Sequence, residues 1–150
     1  MAGTDGTVRR QDNWHVPLRE EIAKSSGMPF SWGRNDCVQF VFRCVKAQTG
    51  TDIGKGTGKY RGERSAMKAL VKYGGKTIDE GFDILAEKYG MKKAGKLLLK
   101  RGDPVCFYDD EENLCMGVVD LDGAHAVFLT KDSGAVKVPT SRCYRGWSIG

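Results

Sequence analysis

The stretch Ser31–Phe40, SWGRNDCVQF, decides how the first half of the chain is read. Gly33, Arg34 and Asn35 favour a turn, Asp36 is a good helix N-cap, and an apolar-rich run begins directly after it. A carboxylate at that place accepts free backbone N–H groups of the first turn. The pattern predicts a helix from Asp36 to about Thr49-Gly50, with Gly50 as its natural stop. Cys37 then stands on the first turn, where unpaired N–H dipoles lower a thiol's pKa. Arg34 adds to that effect and Asp36 opposes it. Plain packing is the competing reading: Cys37, Phe40, Val41 and Cys44 share one helical face, and cysteine is among the most buried residue types.

Upstream, Trp14, Leu18 and Ile22 recur four apart, which makes one stripe of a short helix over Asp12–Lys24. Pro17 is tolerated there only in the first turn. Residues 1–11 are polar and glycine-bearing, and are expected to form a flexible N-terminal arm ahead of a single domain over 12–150. Downstream, TDIGKGTGKYRGE (51–63) carries four glycines. It lacks a GKS or GKT ending and a preceding strand, so a loop is expected and not a phosphate cradle. Ser65–Tyr73 and Thr77–Tyr89 read as two further helices. After Lys100 the texture changes to short β-rich runs, DPVCFYDD, LCMGVVDLDG, AHAVFLTKDSG and AVKVPT, divided by acidic or glycine turns. CYRGWSIG closes the chain as a candidate edge strand. Helices first and strands second argue for an α+β fold, with N-terminal helices packed on a C-terminal antiparallel β-sheet.

The bulk numbers agree with one soluble domain. There are 150 residues, 40% hydrophobic and 29% charged, with a net charge of +5 and a pI near 9.0. The basic residues read as spread along the chain with acids between them, a solvated surface. No arginine cluster or aromatic pattern marks a specific nucleic-acid site. The five cysteines show no CxxC pair, and the only histidines are His15 and His125. No metal and no cofactor are expected on that inventory. The first residues lack the apolar core of a signal peptide, and no run approaches a membrane span. The cysteines are therefore expected as thiols in a reducing cytosol.

Several blocks resemble the NlpC-like, papain-like cysteine peptidase superfamily, and more narrowly its phage and prophage tail-associated branch. They are PFSWGRNDC (29–37), the helix ending TG (49–50), KYRG (59–62), RGDPV (101–105), MGVV (116–119) and RGW (145–147). The resemblance implies a cysteine-bearing helix packed on an antiparallel sheet that carries a histidine. It implies Cys37 as nucleophile toward amides of peptidoglycan stem peptides, with backbone N–H groups at the helix start as oxyanion hole. Its setting would be the virion, in a phage tail tip assembled in the host cytoplasm, with hub, baseplate and tape-measure proteins as partners.

The resemblance also implies a histidine opening the strand before the MGVV block, and there this chain has Cys115. A thiol holds its proton too tightly at neutral pH to serve as the base, and it lacks a second ring nitrogen. His125 is the candidate replacement. Strand alternation puts His125, Val127 and Leu129 on one face, so His125 either approaches Cys37 from the neighbouring strand or is a surface histidine. Asp103 reads as a turn residue before a strand. Two functions stand side by side: a cysteine peptidase or amidase of the tail tip using Cys37 and His125, and a catalytically degenerate tail component that keeps the fold.

Overall fold

Asp36 does cap a helix. In a computed structural model that describes residues 7–55, 62, 64–65 and 77–150, helix α2 runs Cys37–Thr49 with Asp36 as N-cap. Gly50 closes it in the left-handed conformation at φ 79°, where a Cβ would be strained. Helix α1, His15–Ser26, starts and ends slightly later than the sequence suggests. Helix α3, Ile78–Lys88, has Thr77 as its cap, with the hydroxyl accepting the Glu80 N–H. Of the expected loop over 51–63, residues 56–61 and 63 lie outside the described residues, as does the expected helix 65–73 save its first residue.

Six strands follow: β1 Lys92–Ala94, β2 Pro104–Tyr108, β3 Leu114–Val119, β4 His125–Thr130, β5 Gly134–Pro139 and β6 Arg145–Ser148. They form one antiparallel sheet in the order β1-β6-β2-β3-β4-β5. The fold is thus α+β, with three helices and a six-stranded antiparallel sheet among the described residues. Strands β2 to β5 are the expected meander. Strand β6 is not an edge: it returns to pair with β2 and is covered in turn by β1.

Strand alternation divides the apolar side chains into two clusters. Cys106, Met116, Val118, Val127, Leu129 and Trp147 face the helices and meet Phe40, Val41, Cys44 and Val45 of α2. Val105, Phe107, Val119, Ala126, Phe128 and Val138 form a smaller cluster on the other face. Gly117 is glycine for a steric reason: a Cβ there would stand 2.4 Å from the Val127 carbonyl and 2.5 Å from the Phe128 ring.

Trp147 ties α3 to the sheet. It is fully buried, its ring lies 4.6 Å from that of Phe82, and its indole N–H donates to Asp83 at 2.9 Å. Arg145 grips the same carboxylate with both guanidinium arms. Burial alone would raise the Asp83 pKa, but the hydrogen bonds from Arg145 and Trp147 outweigh it and hold the pKa below the usual 3.8. A depressed folded-state pKa contributes stability that is complete above the unfolded pKa and is lost as pH falls through the folded value. Asp83→Asn is therefore expected to cost about 1–2 kcal/mol at pH 7. Chemical denaturation from pH 7 downward should show that difference shrinking below about pH 4.

Of the expected N-terminal arm, residues 1–6 lie outside the described set and residues 7–11 run along the domain. Val8 is buried, and its N–H donates to the Tyr89 carbonyl. Arg10 and Gln11 donate backbone N–H groups to Gly150 and Gln48. The Arg10 guanidinium reaches Asp103 at 2.9 Å, Gln48 at 2.8 Å and the Arg101 carbonyl at 2.8 Å, and it stacks 4.5 Å over Trp14. Asp103 is fully buried and also accepts the N–H groups of Lys100 and Ile149.

Candidate functional site

The segment before Cys37 is built to aim the helix. Asn35 is buried, and its amide donates to the carbonyls of Ser25, Met28 and Pro29, while Arg43 donates to its oxygen. Asp36 uses one oxygen on the Gln39 N–H and the other on the Gly33 N–H, each at 2.8 Å. Its carboxylate is committed to backbone donors and is not placed as a base for Cys37. Trp32 packs edge-on against Phe30, with centroids 5.1 Å apart, on the same loop.

Cys37, the first residue of α2, meets the sheet where two strands part. The β3–β4 ladder covers Gly117–Val119 against Ala126–Phe128, whereas β2–β3 pairing continues to Leu114 and β4–β5 pairing to Thr130. The Met116 N–H falls beyond that short ladder and hydrogen-bonds the Cys37 sulfur. Burial pushes the Cys37 thiol up to about 12. The Met116 and Val38 N–H groups pull it down, and Asp36 and Cys115 push it further up. Desolvation outweighs the two N–H groups, which favours the neutral thiol at physiological pH although the residue is only half-buried.

Cys115 is close enough to Cys37 to affect its titration, yet it packs against the smaller cluster on the sheet's other face. Burial raises its own pKa to about 11. Neither thiol can take a proton from the other at neutral pH. All five cysteines are free.

The structure does not bring His125 to Cys37. Alternation is as expected, with Val127 and Leu129 on the helix-facing side. Register is what separates the two. His125 opens β4 beyond its pairing with β3, at the end where Val119 meets Ala126. Five residues of strand set it about 16 Å along the sheet from the level of Cys115. A second ruler agrees: Gln48, near the far end of α2, donates to the Gly102 carbonyl, and Gly102 N–H donates to Val119. Eleven residues of helix from Cys37 to Gln48 rise about 16 Å. The His125 imidazole instead bonds Asp122 at 2.8 Å in the β3–β4 turn, with both side chains nearly half exposed. His15 lies exposed at the start of α1, edge-on to Trp14.

Asp103 and Asn35 carry roles that the sequence alone did not reveal. Asp103 read as a turn residue, and its partners lie 93 and 46 positions away. Asn35 precedes a cap, and nothing local marks it as the clamp on Ser25–Pro29. The Met116 N–H is a backbone group and has no sequence signal. Among the described residues, no group of three or more His, Cys, Asp or Glu side chains is arranged to hold a metal ion. No helix among them is long and apolar enough to cross a membrane.

No curated protein matches the chain. A family profile described as a domain of unknown function, DUF6950, matches residues 9–149, from the docked arm through β6. The frame described above, a capped cysteine helix laid on an antiparallel sheet, is therefore that of a DUF6950 domain, and the chain belongs to this family.

Proposed function

We propose that this protein is a component of a phage tail tip that keeps an NlpC-type, papain-like frame without its hydrolytic chemistry. The sequence blocks around Cys37 and the cysteine helix on an antiparallel sheet support the frame. One observation carries the loss of chemistry: no imidazole stands by the half-buried Cys37 thiol, because Cys115 occupies the position where the base is expected and packs on the sheet's other face, while His125 bonds Asp122 at the other end of the sheet. General-base activation needs an imidazole within hydrogen-bond reach or one water away. Partners on this reading are the hub, baseplate and tape-measure proteins, and the setting is the virion.

The hydrolytic reading retains one favourable observation. The sulfur lies at a helix start and faces the N–H groups of Met116 and Val38, the kind of donors that stabilise an oxyanion. Peptidoglycan digestion separates the two. Purified protein should release no soluble stem-peptide fragments, and Cys37→Ala should leave phage infectivity unchanged. Fragment release that Cys37→Ala abolishes would overturn the non-hydrolytic reading.

A further inference from the structure

The positive charge is concentrated, contrary to the even spread expected from composition. Lys88, Lys92, Lys93, Lys96, Lys100 and Arg101 lie in one segment with no acid between Glu87 and Asp103. These six cations compare with +5 for the whole chain, so the remainder carries a small net negative charge. Lys88, Lys92, Lys93, Lys100 and Arg101 are all exposed. In the middle of the segment, on the 3-10 turn Lys96–Leu98, Leu97 is 93% exposed and Leu98 73%. Leu99 is half-buried against the second apolar cluster and anchors the turn to the sheet. The turn lies beside a second 3-10 turn, Thr140–Arg142, whose Arg142 adds another exposed cation.

Edge protection accounts for Lys92 and Lys93, because β1 is an edge strand and lysines discourage edge-to-edge pairing. It does not account for two adjacent leucines held in water. We propose that this segment docks on an anionic phospholipid surface, with Leu97 and Leu98 entering the acyl boundary and the cations contacting headgroups. The charge is complementary to such a surface, and each basic side chain near it adds attraction. The two leucines are adjacent and exposed on one short turn. A bilayer boundary takes up such a small apolar tip without shape complementarity, whereas a stable protein interface needs a broad face of 20–30 residues.

Vesicle co-sedimentation tests this on the full chain. At about 0.1 M salt, binding to vesicles about one-third phosphatidylglycerol should exceed binding to pure phosphatidylcholine by about tenfold or more. Leu97→Ser/Leu98→Ser should lower binding to the anionic vesicles about tenfold, with an unchanged thermal midpoint because both side chains are exposed. Lys92→Glu/Lys100→Glu should lower it further. Absence of binding to anionic vesicles would overturn the proposal. So would binding that the leucine variant retains in full, which would mark a general polyanion site. Capture of an acidic protein by the wild type, with vesicles left unbound, would assign the surface to a protein partner and overturn it equally.

Discussion

Asp103→Ala is expected to destabilise the protein by about 3–5 kcal/mol, the range for removing one partner of a buried ion pair. The carboxylate is fully buried and accepts from Arg10, Lys100 N–H and Ile149 N–H. Removing it leaves two backbone donors and a largely enclosed guanidinium without their acceptor. Nothing nearby replaces it, since the remaining Arg10 bonds go to Gln48 and to the carbonyls of Arg101 and Ile149. For a chain of this length the thermal midpoint should fall by about 10 °C. Asp103→Asn keeps the volume and one acceptor oxygen, so a smaller loss of about 2 kcal/mol is expected. A double-mutant cycle with Arg10→Ala should give a coupling energy above about 1 kcal/mol. An additive cycle would mean that residues 7–11 are not held in solution as described.

The second large effect is expected at Trp147. Trp147→Ala removes the largest fully buried side chain and leaves a cavity between Phe82 and β6. The cost should be about 3–5 kcal/mol by denaturant titration. Trp147→Phe separates packing from polarity. It fills most of the volume but removes the indole donor to Asp83, which Arg145 still holds. Its cost should be about 1–2 kcal/mol. Equal losses for the two variants would show that the hydrogen bond, and not the packing, ties α3 to the sheet.

Local signals made much of this fold legible. Asp36 and Gly50 mark α2 because capping is a short-range matter of backbone donors and a left-handed φ. The strands β2 to β5 follow from alternation and turn residues. Features set by distant pairing were not legible. Strand β1 is three residues, Lys-Lys-Ala, with no β-branched side chain, and it exists as a strand only through β6. The interior position of β6 depends on a return to β2 some forty residues earlier, which no local pattern encodes. Residues 7–11 look like a polar arm until Arg10 finds Asp103.

The candidate site divides the same way. That Cys37 begins a helix could be read from seven residues. The face of β4 that carries His125 could be read from alternation. The position of His125 along that face depends on register with β3, and the short ladder puts it at the far end. The concentration of charge in 88–101 was legible in the sequence, but counting over the whole chain hid it.

The pH dependence of Cys37 alkylation, followed by peptide mass spectrometry after iodoacetamide treatment, tests the central claim most directly. A thiol held near 12 is expected to react about a hundredfold or more slowly than free cysteine at pH 8. Its rate should keep rising about tenfold per pH unit through pH 9.5, without a plateau. A rate that levels off below pH 7 would show a primed thiolate and would contradict a non-hydrolytic Cys37.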